Sequence, residues 1–138
     1  MNTRLPRIIA GLALAVSAMP LWAHHALVAV FDPSKQKDFK GTVTRVEWLN
    51  PHARFDMDIA EPGGKTASWE FELGSPNSLM QHGWNRYTLK KGDMVAVTGD
   101  LARDGSKFAH VRSITLPGGA RVCDYDRFND AAWSCVGK

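Results

Sequence analysis

From residue 39 to residue 118 the chain is written in short runs that alternate apolar with polar residues, each closed by a glycine- or proline-bearing turn. Alternation at period two is what a half-buried strand requires, because successive side chains leave opposite faces of a pleated backbone. The clearest run is HARFDMDIA, residues 52–60, with Ala53, Phe55, Met57 and Ile59 on one face and His52, Arg54, Asp56 and Asp58 on the other. Before it, FKGTVTRVEWL (39–49) stops at Asn50-Pro51, where a proline cannot donate to a central ladder. After the EPGG turn, ASWEFEL places Trp69, Phe71 and Leu73 inward and Glu70 and Glu72 outward. The period then changes. GSPNSLMQHGW offers Ser75 as an N-cap, Pro76 at the first helical position and Gly83 as a stop, so a short helix is expected. MVAVTG (94–99) and AHVRSITL follow, joined through the Asp104-Gly105 hairpin signal. Three strands, one short helix and two more strands is the order of an OB fold. The expected class is therefore all-β, a small five-stranded OB-like Greek-key barrel with the helix between strands 3 and 4.

The segment before the barrel reads as an export leader. Arg4 and Arg7 make a positive start, and residues 8–19 are uncharged and apolar, a stretch of signal-peptide length that is too short to span a bilayer. Leu21 and Ala23 suit a signal-peptidase site, and cleavage after Ala23 makes His24 the new N-terminus; a cut after Ala26 is the rival, and a retained anchor the alternative to both. The expected organisation is a signal peptide at 1–23, an N-terminal arm at 24–38 with FDPSK as a turn, the barrel at 39–118 and a tail at 119–138. The periplasm is the expected address. The leader carries two of the seventeen basic residues and none of the fourteen acidic ones, so the mature chain is near neutral. With no block of five basic residues and no interleaving of aromatic with basic ones, nucleic acid is not an expected partner.

Cys123 and Cys135 are the two cysteines of the chain, and in an oxidising compartment they read as one disulfide. It would close a loop of about 13 residues and contribute about 3 kcal/mol on the chain-entropy view. The competing reading, a thiolate metal pair, lacks C-x-x-C spacing and a histidine between the two.

A histidine at a free N-terminus offers its α-amine and imidazole Nδ1 to a single metal ion. Both groups lose their protons near neutral pH, and nitrogen ligands in a tetragonal array suit Cu(II). His24 is the candidate chelator. His52 in NPHA is the candidate third nitrogen, ahead of His25, whose ring would strain the chelate. Asp56, Glu70 and Glu72 share the face of His52 and are the candidates for an axial oxygen or for an acceptor of its ring N–H. The plain alternative is that the two adjacent histidines only follow a cleavage site and that His52 belongs to the bend. His82, at the end of the short helix, and His110, in mid-strand, read as structural.

No catalytic motif is present: there is no G-x-S-x-G, no phosphate loop and no H-E-x-x-H, so an enzyme is not expected. Glu70 and Glu72 read as ordinary acids of a solvated strand face rather than a catalytic pair. Trp48 and Trp69 fit the core, Trp84 a lid for the helix, and Trp133 a cover for the disulfide loop, so core use outweighs ligand stacking.

The stretches AHHALVAVFDPSK, KGTVTRVEWLNPHARF, WEFELGSPNSLMQHGW, LKKGDMVAVTG and DGSKFAHVRSITLPGG together resemble an uncharacterised bacterial family of small exported proteins, a domain of unknown function. The resemblance implies a periplasmic OB-like barrel with no assigned reaction. It places the family's recurrent polar positions on His24, His25, Asp32, Asn50, Pro51, His52, Glu70 and Glu72, and leaves the cysteine pair as an addition. The N-terminal histidine is also similar, at that one site, to the metal-binding start of periplasmic copper carriers and copper oxygenases. Two functions are thus expected: a copper-binding carrier or buffer, or a metal-free module that offers its barrel face to an envelope protein or small ligand.

Overall fold

The computed structural model of the chain describes residues 26–123. They form helix α1 (Ala26–Val30), strand β1 (Phe31–Glu47), β2 (Arg54–Ala60), β3 (Thr66–Glu72), helix α2 (Pro76–Gln81), β4 (Met94–Ala102), β5 (Phe108–Thr115) and β6 (Arg121–Cys123). The sheet runs β3-β2-β1-β4-β5-β6, and β3 also pairs with β5. That second pairing closes β1 to β5 into the ring expected of a five-stranded OB barrel. The domain is mostly β, and no helix among the described residues is long and apolar enough to cross a membrane.

The alternation fixes the interior. Phe55 and Met57 of β2, Phe71 of β3, Val95 and Val97 of β4, and Val111 and Ile114 of β5 are all buried, as are Phe39 and Val43 of β1. Phe71 stacks on Phe55 at 5.0 Å between centroids and meets Phe39 edge-on at 5.0 Å. Each such ring contributes about 1.5–3 kcal/mol by leaving water. Helix α2 forms where its capping residues predict: Ser75 Oγ accepts from the Ser78 N–H at 3.2 Å, Pro76 opens the helix, and Leu79 is buried under the barrel. Trp84 is buried beside it, while Trp48 and Trp69 pack against the core half-buried.

Three features depart from the expected boundaries. The first strand begins at Phe31, inside the segment expected as an arm: Phe31 and Asp32 pair with Ala102 and Leu101, and pairing resumes at Gln36 opposite Asp100. FDPSK is therefore a bulge within a strand rather than a turn before one. Pro33 has no N–H for the ladder, and Asp32 folds onto Ser34, accepting from its N–H at 3.1 Å and its hydroxyl at 2.7 Å. Ahead of it, α1 is tied to the β4–β5 turn by Arg103, which donates from its backbone to Val30 O and from Nε to Val28 O, both at 2.9 Å. At the other end, β6 returns along β5 after the PGG turn, within the segment expected as tail. Cys123 closes that strand; its expected partner Cys135, with Trp133, lies outside the described residues, as do the leader, His24 and His25.

Candidate functional site

The polar face of β2 and β3 is built by register. The turn at 61–65 sets Ala60 opposite Thr66, and counting back through the antiparallel ladder brings Arg54 opposite Glu72 and Asp56 opposite Glu70. Just before β2, the backbone of Ala53 is held on both sides: its N–H donates to Gly74 O at 3.1 Å and its carbonyl accepts from Leu73 at 2.9 Å. Ala53 points inward, so His52 and Arg54 project from the same outer face.

There His52 Nδ1 lies 2.9 Å from Glu72 Oε1. Arg54 donates to Glu72 Oε2 at 2.7 Å and to Glu70 Oε1 at 2.9 Å, and its guanidinium sits 5.5 Å over the Phe108 ring. One strand further, Arg45 binds Asp56 at 2.7 Å and Glu47 at 2.7 Å. Asp56, by that hydrogen bond first, holds the Arg45 guanidinium above its ordinary value. Two arginines thus engage four carboxylates.

Of the three acceptors expected for the His52 ring, the structure brings only Glu72 to it. Asp56 is bonded to Arg45 and Glu70 to Arg54. A further correction concerns Glu72, expected on a solvated face and found only 5% exposed. The cause is the barrel seam, where β5 runs parallel to β3 with His110 in register with Glu72. Phe31 in turn packs on Phe108 and His110, at 4.9 and 5.4 Å between centroids.

A carboxylate only accepts, so the bond to Glu72 places a proton of His52 on Nδ1, and in the neutral ring Nε2 then carries the lone pair. A carboxylate behind a histidine is the usual support of a metal-ligating imidazole. Among the described residues no group of three or more His, Cys, Asp or Glu is placed to hold a metal ion, so His52 stands as one ligand and not as a complete site. His24 and His25, the other expected ligands, lie outside the described residues. Leu27, two residues after His25, lines a small cavity with Val28, Phe31, Pro33, Asp100 and His110. The described chain therefore begins over the outer face of the barrel, one strand from Glu72. His82 closes α2, its Nδ1 2.8 Å from Ser78 O, and His110 is buried at the seam.

Arg54 is the residue that the sequence reading missed. Among alternating polar residues it looks like any solvated cation, yet the short turn after Ala60 already fixes it opposite Glu72.

A family match covers residues 12–112 of the sequence. The chain belongs to the family of unknown function DUF6152. None of the curated proteins compared with this DUF6152 chain matches it in sequence. Among solved structures, it is similar to the mitochondrial single-stranded DNA binding protein Rim1 from S. cerevisiae, with 15% identity and a TM-score of 0.46 over 62% of this chain and 93% of that one. It is also similar to part of TiaS in complex with tRNA and ATP, with 20% identity and a TM-score of 0.45 over 62% of this chain and 19% of that one. At these identities and TM-scores the likenesses carry no argument about what this chain binds.

Proposed function

We propose that this DUF6152 protein is exported to the periplasm and binds Cu(II) through nitrogen ligands, as a carrier or buffer and not as an enzyme. The observation that supports this most is the His52–Glu72 pair, a half-exposed imidazole whose Nδ1 is held at 2.9 Å by a buried carboxylate. In the proposed site His24, exposed as the N-terminus by cleavage after Ala23, supplies its α-amine and imidazole, and His52 Nε2 supplies a third nitrogen. His25 is the reserve ligand. The start of α1 near the seam is compatible with an arm of this kind.

Calorimetric titration of Cu(II) into the mature chain, after its mass has been checked for the cut, tests the reading. Tight binding of one equivalent, weakened by His52→Ala and again by an added N-terminal Met, is the expected result. Equal binding by all three chains would show that the arm and His52 are not the site. A second reading, a metal-free interaction module, draws on the exposed Leu49 and Tyr87, 65% and 70% accessible, which follow in sequence Trp48 and Arg86 of a small cavity also lined by Trp84. Metal-independent binding of an envelope protein, lost in Tyr87→Ser, would favour it.

A further inference from the structure

We infer that the outer face of β1, β4, β5 and β6 binds a small polyhydroxy carboxylate of the sugar-acid kind, at a site separate from His52. Phe39, Val97 and Ile114 point into the core, so their neighbours along the same strands point out. The strand register sets these in two rows. Asp38, Thr98 and Ser113 lie side by side in one, and Lys40, Ala96, Thr115 and Arg121 in the other. They line a groove of about 480 Å³, within the size range of small-molecule sites. Ala96 makes the depression, because it is the smallest side chain of a row that carries a cation at each end. Three inter-strand spacings of about 4.8 Å separate the backbones of Lys40 and Arg121, a span that two long side chains can share with one small ligand.

The polar groups of the groove define what fits it. Arg45, Arg54 and Arg112 are tied to carboxylates, whereas among the described residues Lys40 and Arg121 enter no ion pair. Arg121 is aimed from below: its Nη2 donates to Ser113 Oγ at 2.9 Å, and Ser113 is only 3% exposed. That bond uses one of five donors, and a pair of parallel N–H groups remains to grip a carboxylate. At the diagonally opposite corner Asp38 accepts from the Thr98 hydroxyl at 2.7 Å. A carboxylate only accepts, so a ligand reaching this corner must bring donors. Hydroxyls meet that need without setting a positive charge beside Lys40, two residues along the same strand face. Phosphate, with charge on every side, would meet Asp38 as a like charge. A sugar acid keeps its carboxylate at one end, for Arg121 and Lys40, and its hydroxyls at the other, for Asp38, Thr98 and Thr115.

The test titrates sodium gluconate into the whole mature chain in metal-free buffer, so that the outcome does not depend on the copper reading. Affinity is read by calorimetry and position from the backbone amide signals. Gluconate is expected to saturate, moving the amides of 96–98 and 113–115 and leaving those of 52–54 in place. Glucose, which lacks the carboxylate, propionate, which lacks the hydroxyls, and inorganic phosphate should each bind at least about tenfold more weakly, as loss of a hydrogen bond to a charged group implies. Arg121→Met should weaken gluconate by about tenfold or more, and Ala96→Gln, which fills the groove from an exposed position, should do the same. Lys65→Met, an exposed lysine of the β2–β3 turn, should change nothing. Each variant is checked for folding by circular dichroism. No saturation by gluconate, or unchanged binding in folded Ala96→Gln, overturns the site. Propionate or phosphate binding as tightly as gluconate overturns the ligand class, and so does alanine binding more tightly, which would give the Asp38 corner to an ammonium.

Discussion

A glutamate on the outer face of a strand ordinarily keeps its carboxylate in water, but the Glu72 side chain is only 7% exposed. A buried charge is costly unless it is paired and hydrogen-bonded, and both oxygens of Glu72 are used, one by His52 and one by Arg54. Glu72→Ala removes both bonds and leaves the two partners facing a gap. It should lower stability by about 1–3 kcal/mol, read from the urea midpoint. Glu70→Ala is the contrast: its side chain is 37% exposed and its ion pair solvated, so a change within about 0.5 kcal/mol is expected. Equal effects from the two would mean that the seam does not distinguish them. The alternation in ASWEFEL made the direction of both side chains legible. Their difference in burial was not, because it depends on β5, which is remote in sequence and sets Phe108 beside Glu70 but His110 beside Glu72.

Strand β1 is the element that serves two neighbours, with Thr42 in register with Asp58 of β2 and with Met94 of β4. Gly41, just before it, lies so close to β2 that an added Cβ would run into the carbonyl of Asp58. The obstacle is backbone and cannot swing aside. Gly41→Ala should therefore destabilise by at least about 2 kcal/mol, within the range for overpacking, whereas Gly118→Ala, with open space around it, should leave the melting temperature nearly unchanged. A harmless Gly41→Ala would show that β1 and β2 are further apart than described. At its start, β1 carries a titrating turn. Hydrogen bonds from the side chain and backbone of Ser34, with Arg103 nearby, hold the Asp32 carboxyl below its ordinary value of 3.8. A carboxyl lowered in the folded state adds stability above its unfolded value and loses it as the pH falls through the folded one. The melting temperature should thus decline below about pH 4, and Asp32→Asn should flatten part of that limb. Asp104, lowered by Ser106 in the same way, would maintain the rest. An identical acid limb in Asp32→Asn would contradict the bulge geometry. FDPSK was legible as a place where the backbone turns on itself. Whether such residues make a turn or a bulge is decided by whether β4 continues alongside, which the local sequence does not encode.

The barrel as a whole is closed unevenly. β1 and β4 share nine register pairs, while β3 and β5 share three, in parallel. Hydrogen exchange should begin at that seam, so the amides of Glu70–Glu72 and Phe108–His110 are expected to exchange before those of 36–42 in β1. Uniform protection would mean that the ring opens only by global unfolding. The order of strands and helix was readable from periodicity and capping residues, because each is a local signal. Closure came with the expected barrel, but the residues that make the seam were not readable, and neither was β6, a three-residue strand too short for a pattern. The candidate site lies where these limits meet: its residue types were visible in NPHA and WEFEL, but its geometry arises from the turn register and the seam. The decisive experiment is electron paramagnetic resonance of the mature chain and its His52→Ala variant, each loaded with one equivalent of Cu(II). A tetragonal signal with several nitrogen couplings, one of them lost in the variant, is the predicted result; identical spectra, or a signal like that of copper in buffer, would contradict a copper site built on His52.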